Sequence, residues 1–233
     1  MIRKIAIACP IILTLAACHP SERDVATRVS DQLHARIMQD AHAASDAIVV
    51  KEIGVVHDQG NKFSGQAHFI AYGRPSTLDM SIVADRNNVI FQARDVDWSN
   101  TIAFVSDSRL KLLSNKYSDE AVKIPDIFIL FPDSLQKNKG IFASNLETVS
   151  PIEERSGFIF GHGCKSHKCG DFESAWAIDR QSSRAYAIVM SPSKTTNDVG
   201  FLIYGGDVSN IPQPLVAWAL DKGLTQANYA VQR

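Results

Sequence analysis

The sequence predicts an α+β protein, because helical and strand patterns occupy separate stretches of the chain. From about Arg23 to Asp46, apolar residues recur mostly at every fourth position, which is typical of one face of a helix. Four β-rich runs follow, and turn-forming residues separate them. We expect these strands at residues 47–56, 62–72, 78–84 and 89–95. The first part of the chain is therefore predicted to be a helix followed by an antiparallel β-meander.

The start of this helix is marked by Ser21, with Asp24 three residues later, a spacing that allows the serine to cap the first turn. A helix followed by a four-stranded meander resembles cystatin-like and nuclear-transport-factor-like units. That shape is shared by many proteins and assigns no function by itself. We place this N-terminal domain at residues 18–98.

The remaining residues, 99–233, are predicted to form a second domain. Helical patterns cover 102–113 and 120–123, and residues 126–131 read as a buried strand or a short helix. Residues 132–150 read as a loop. Four more strands are expected at 157–161, 173–179, 184–190 and 200–204. A last helix is expected from Leu215 to Asp221. Pro212 and Pro214 mark its start, where proline is tolerated.

Residues 1–17 are predicted to be an export signal. A basic start, Arg3 and Lys4, precedes a short apolar run that ends in Leu-Ala-Ala-Cys. The run is shorter than the roughly 20 apolar residues of a spanning helix. Its end resembles the bacterial lipobox, which implies a lipid on Cys18 and anchoring to a membrane in the periplasm. His19 stands where an aspartate would favour the inner membrane, so the resemblance favours the outer one.

Net charge indicates no nucleic-acid partner. The 233-residue chain has a formal charge of −1, and removal of Arg3 and Lys4 with the signal changes it by −2, to −3. No tract of lysine or arginine follows the predicted lipid site.

An ordinary secretory signal with an incidental cysteine is the alternative interpretation of the N-terminus.

Cysteine usage points to one disulfide. Of four cysteines, Cys9 leaves with the signal and Cys18 carries the lipid, which leaves Cys164 and Cys169. An even pair in an exported protein is expected to be oxidised. The bridge would enclose Lys165, Ser166, His167 and Lys168, and would hold these polar side chains outward before any partner binds. We define residues 164–169 as the cysteine loop and predict that it recognises a partner.

From Phe158 to Leu220 the sequence resembles the Ivy family, bacterial inhibitors of vertebrate-type lysozyme. Members carry a disulfide-closed Cys-Lys-Pro-His-Asp-Cys loop followed by two strands joined by a charged hairpin. Here the loop reads Cys-Lys-Ser-His-Lys-Cys, and residues 174–178 and 185–189 match the strands. The resemblance implies an α/β/α domain with an antiparallel sheet, no enzymatic activity and no cofactor. It also implies C-type lysozyme or a related peptidoglycan hydrolase as partner, and homodimers are known in the family.

The resemblance assigns His167 as the residue that enters the cleft and bonds the catalytic carboxylates of the hydrolase. Two departures stand out. Ser166 replaces the family proline, which removes a restraint on φ. Lys168 replaces the aspartate, which removes an acceptor inside the loop and makes it cationic together with Lys165. The cationic loop suits an acidic cleft, although it also allows a different target enzyme.

Other interpretations remain open from the sequence. His162, Cys164, His167 and Cys169 could form a zinc site, but their spacing is tighter than in known zinc motifs, and we expect no metal. The bridge could be only a structural staple of a non-inhibitory lipoprotein. The same loop could serve an immunity protein against a peptidoglycan-targeting toxin or an autolysin. An enzyme is disfavoured, since the chain lacks a Gly-x-Ser-x-Gly elbow and a phosphate-binding loop.

Overall fold

The structure is a computed structural model that describes residues 20–192, 199–225 and 227–232. The predicted signal at 1–17 and the predicted lipid site, Cys18, lie outside these residues. The fold is α+β, as predicted. Within the described residues, no helix has the length and apolar character needed to cross a membrane.

The N-terminal unit consists of one helix packed on a four-stranded antiparallel sheet. Its elements in chain order are α1 Glu22–Ala41, β1 Ile48–Gln59, β2 Lys62–Ala71, β3 Arg74–Ala84 and β4 Val89–Gln92, and the strands are ordered β1-β2-β3-β4. The Ser21 hydroxyl accepts a hydrogen bond from the Asp24 N–H at 3.1 Å, so the predicted cap is present. Apolar residues at every fourth position of α1, such as Val29 and Leu33, are fully buried against the sheet.

Helix α2, Asp95–Leu110, runs directly from the first core into a second. Its Val105 belongs to the core under the meander, whereas Leu110 belongs to the core of the second sheet. The domain boundary predicted between residues 98 and 99 falls within this helix. The division into two domains stays a prediction, and the two cores are joined by a continuous helix rather than a loop.

The second half is a seven-stranded sheet with helices on both faces. A 3-10 turn, Lys111–Leu113, leads to the short helices α3 Glu120–Lys123, α4 Pro125–Phe128, α5 Asp133–Lys137 and α6 Lys139–Ser144. Then follow β5 Thr148–Val149, β6 Glu153–Arg155, β7 Phe158–Cys164, β8 Glu173–Asp179, β9 Ala185–Pro192, β10 Val199–Tyr204, α7 Gln213–Asp221 and β11 Tyr229–Gln232. The sheet order is β11-β10-β9-β8-β7-β5, with β6 also paired to β7.

The two faces of this sheet carry different cores. Trp176 and Ile178 pack under the helices that precede the sheet, whereas Ala175 and Ala177 pack against Leu215 and its neighbours on α7. Alternate residues of β8 therefore serve opposite faces, as the two-residue period of a strand requires. The layers are α/β/α, as the resemblance implied.

The sheet topology and residues 132–150 differ from the sequence expectation, and the helix expected from residue 102 begins earlier, at Asp95. The sheet is mixed rather than antiparallel, because β11 runs parallel to β10. Parallel neighbours need a crossover, and α7 supplies it. Residues 132–150 are not a loop: they contain α5, α6 and β5. Each of these helices is fewer than two turns long and buries a single large residue, Leu135 or Phe142. That is too little for a helical period to show in the sequence.

Candidate functional site

The cysteine loop joins β7 to β8 at one end of the second sheet. The two strands pair antiparallel in the register Gly163 with Ser174 and Cys164 with Glu173. Both strands are largely buried up to this last pair, so the sheet gives the loop a fixed base. Residues 166–170 are exposed beyond it.

Cys164 and Cys169 are joined in a disulfide, with their Cα atoms 5.1 Å apart. This separation lies within the usual range for disulfides. The bridge is the one that the sequence predicted. It occupies both sulfurs, and no cluster of three metal-ligating side chains occurs among the residues that the structure describes. The zinc interpretation therefore has no thiolate ligands in this structure.

His167 lies at the apex of a tight turn inside the loop. The Lys168 N–H donates to the Lys165 carbonyl at 3.0 Å, which closes the turn. His167, at the third position, has φ of 62°, and Ser166 before it is not among the residues with positive φ. This combination is that of a type II turn. Because the backbone turns at His167, its imidazole is exposed.

Two carboxylates hold the loop backbone from outside. Glu147 Oε2 accepts from the Ser166 N–H at 3.1 Å. Glu173 Oε1 accepts from the Gly170 N–H at 2.8 Å, directly after the second cysteine. Lys168 stands where the family has an aspartate acceptor. In this chain, acceptors for the loop thus come from neighbouring segments.

Glu173 is the more firmly placed of the two. It is 4% exposed and forms an ion pair with Lys222 Nζ at 2.8 Å. Its backbone carbonyl accepts from Asn145 Nδ2 at 3.0 Å, and the same amide group donates to the Met190 carbonyl. The loop base is therefore tied to β9, to the segment after α6, and to the end of α7.

The two lysines of the loop fold back over one aromatic ring. Lys165 Nζ lies 5.8 Å and Lys168 Nζ 5.3 Å from the centroid of the Phe172 ring, within the range of cation–π contacts. Both ammonium groups of the loop thus lie near a single ring on the segment that leads into β8.

His162 is not part of this surface. Its side chain is half-buried on β7, next to the Phe160 ring. Burial lowers its pKa, and the charge of nearby Glu173 opposes that effect only in part. The structure thus brings Lys165, Ser166, His167 and Lys168 together with the disulfide, and places His162 elsewhere.

Glu147, Glu173 and Lys222 were missed by sequence reasoning. Isolated charged residues carry no motif, and Lys222 lies 49 residues from its partner. One signal was present: replacement of the loop aspartate by Lys168 removes an acceptor, so a substitute had to be found elsewhere. A search for acidic residues at the ends of the flanking strands would have reached Glu173.

Comparison with known proteins gives one match. Residues 132–218 match the model of the family described as inhibitor of vertebrate lysozyme, Ivy. The matched stretch includes the cysteine loop and most of the second sheet, and it confirms the resemblance over the C-terminal half. No curated protein and no solved structure matched the chain.

Proposed function

We propose that this protein is a periplasmic lipoprotein that inhibits a lysozyme-type glycosidase by inserting the cysteine loop into its active cleft. The observation that carries the proposal is the exposed imidazole of His167 at the apex of a covalently closed turn. That turn lies inside the segment that matches a family of lysozyme inhibitors.

The chemistry of the target suits an imidazole. Lysozyme-type glycosidases work with two carboxyl groups, one protonated and one ionised. A neutral imidazole has one nitrogen that accepts a hydrogen bond and one that donates. His167 can therefore accept from the acid and donate to the carboxylate at the same time. The loop then occupies the place of substrate, and no covalent step is required.

The lysines act at longer range. Lys165 and Lys168 lie over Phe172, and we assign the contact with the carboxylates to His167 and attraction at the rim of the cleft to the two lysines. Their charges attract an acidic cleft during approach, and such steering raises association rates more than it strengthens the final complex. Added salt is expected to slow association accordingly.

Export and lipidation form the second part of the proposal. A disulfide is expected to persist in an oxidising compartment such as the periplasm, which agrees with the predicted signal. The test is metabolic labelling with a fatty acid that carries a chemical handle, followed by fractionation of the membranes. The full chain should take up the label and enter the outer membrane, and Cys18→Ser should do neither.

Inhibition is tested by following lysis of bacterial cell walls with C-type lysozyme and increasing amounts of the purified protein. We expect stoichiometric loss of lysis, and a chito-oligosaccharide that occupies the cleft should compete with the protein for binding to lysozyme. Lysozymes of other classes and a bacterial autolysin, assayed in parallel, identify the target. Full activity of all of these enzymes in molar excess of the protein would refute the proposal.

A further inference from the structure

The N-terminal unit, α1 with β1–β4, has one end close to the predicted lipid site. Cys18 precedes Glu22, the first residue of α1, by four positions. Glu22 Oε1 accepts from the His57 N–H at 2.9 Å, and Arg28 Nη1 donates to the Asp85 carbonyl at 3.0 Å. The start of α1 therefore lies beside the β1–β2 hairpin and the β3–β4 turn. These segments form the anchor end of the unit.

The opposite end of the unit contacts the second half of the molecule. The 20 residues of α1 span about 30 Å. At its C-terminal end, the Ala41 carbonyl accepts a hydrogen bond from Arg109 of α2. Arg109 also donates to the Tyr72 hydroxyl at 3.0 Å, in the turn between β2 and β3. This arginine is 1% exposed, so separating α2 from the N-terminal unit would leave its charge without these partners.

A second contact ties both halves to one carboxylate. Asp107 of α2 accepts from Arg74 of β3 at 2.9 Å and from Arg180 of the β8–β9 hairpin at 2.7 Å. Helix α2 itself carries Val105 in the first core and Leu110 in the second. One continuous helix with residues in both cores therefore connects the two halves without an intervening loop.

The cysteine loop lies at the far end of the second sheet from this contact. Arg180 sits in the hairpin after β8, whereas the loop precedes β8. The seven residues of β8 span about 20 Å. Followed from contact to contact, the order is anchor end, N-terminal unit, hairpin contact, second sheet and cysteine loop.

We propose that the N-terminal unit is a rigid spacer that holds the cysteine loop away from the membrane, where a soluble hydrolase reaches it without touching the bilayer. This inference rests on the lipid anchor of the proposed function. It gives the unit a mechanical role, and no partner of its own is required.

The test uses the full lipidated chain in phosphatidylethanolamine–phosphatidylglycerol vesicles that carry an acceptor dye on their headgroups. A donor dye is placed, through an azide-bearing amino acid, either at Gln59 near the anchor end or at Asp221 beside the loop base. Both residues are exposed. We expect energy transfer several-fold weaker from position 221 than from position 59, with one narrow donor lifetime at 221. Cys18→Ser chains should show no transfer from either position.

Equal transfer from both positions, or a broad lifetime distribution at position 221, would overturn the rigid spacer. Absence of lipid from the full chain would also overturn the spacer, because the unit would then have no membrane anchor. Inhibition of lysozyme by the same labelled chains in detergent is measured separately. Lost inhibition with the expected transfer pattern defeats only the inhibitor proposal, and retained inhibition with equal transfer defeats only the spacer.

Discussion

At the apex of the cysteine loop, His167 occupies the left-handed backbone region, which costs most residues about 1 kcal/mol or more. Ser166 precedes it at the second position of the turn, where proline is favoured because its fixed φ fits. This explains why the family loop can hold a proline there. In this chain the Ser166 N–H is instead used, as a donor to Glu147.

We predict that Ser166→Pro changes stability little on its own. The gain from restricting the unfolded chain is about 0.4–1 kcal/mol. The lost hydrogen bond to Glu147 is worth about 1 kcal/mol, so the two effects nearly cancel. In a Glu147→Ala background no such bond is lost, and Ser166→Pro should stabilise the protein. A double-mutant cycle by urea denaturation measures the difference, and identical effects in both backgrounds would contradict this account.

The disulfide is expected to matter more for binding than for stability. By loop-closure entropy, so short a ring contributes about 2 kcal/mol to the free energy of unfolding. Its removal also frees four residues that must be ordered again in the complex, each costing about 0.5–1.5 kcal/mol. We predict that Cys164→Ala/Cys169→Ala remains folded and binds the target at least tenfold more weakly. Titration calorimetry on this variant and on reduced wild-type protein measures the affinity for the target. Unchanged affinity in both would show that the disulfide does not preorganise the loop for binding.

At the level of elements, β7 and β8 position the loop through the register that sets Cys164 opposite Glu173. Regular elements were largely predictable: α1 has a long apolar period, and the meander strands are bounded by strong turn residues. Helices α5 and α6 were missed because each is too short to show a period. Strand β11 was missed because its parallel pairing depends on the crossover through α7. The contacts that support the loop depend on strand register, which no local pattern contains.

Glu173 is predicted to be the main support of the loop base. Glu173→Ala leaves Lys222 and the Gly170 N–H without this acceptor, and because both of these groups reach solvent we expect a cost of about 1–3 kcal/mol. Glu173→Gln keeps an acceptor for the Gly170 N–H but loses the ion pair with Lys222. This variant should therefore lower the free energy of unfolding while it retains most of the inhibition. Denaturation and lysis assays on both variants provide the test. Glu147→Ala, which removes the exposed acceptor of the Ser166 N–H, is the matched control. If Glu173→Ala lowers the free energy of unfolding no more than Glu147→Ala does, Glu173 is not the main support.

Asp107 joins the two halves in a pH-dependent way. Burial alone would raise its pKa, but hydrogen bonds from Arg74 and Arg180 and the charge of Lys111 bring the pKa below its usual value. A carboxyl with a depressed pKa stabilises the fold above its unfolded pKa, near 3.9, and loses this effect as pH falls through the folded value.

We therefore predict that Asp107→Asn costs on the order of 1 kcal/mol at pH 7, allowing for partial exposure of the group. The difference from wild type should shrink below about pH 4 and vanish at lower pH. Urea denaturation across this pH range measures it. A stability difference independent of pH would show that the charge of Asp107 is not what joins the halves.

At the scale of the whole molecule, helix α2 connects the unit next to the predicted anchor with the sheet that carries the exposed imidazole of His167. The resemblance of the second half to the Ivy family could be recognised from its loop and strands alone. The role of the first half could not, because a helix with a meander serves many functions and its placement depends on long-range contacts such as Arg109 with Tyr72.

The inhibition that we propose requires the His167 side chain itself to fill the cleft of the target. The most direct test is the dissociation constant of the complex for His167→Gly, with His42→Gly as control. Both histidines are exposed and both have positive φ, 62° and 47°, so glycine relieves the same backbone cost at each position. We predict that His167→Gly weakens binding by roughly 30-fold or more, as for a hot-spot residue worth at least 2 kcal/mol, whereas His42→Gly leaves it unchanged. Equal affinity of the two variants and the wild-type protein would show that the His167 side chain does not fill the cleft.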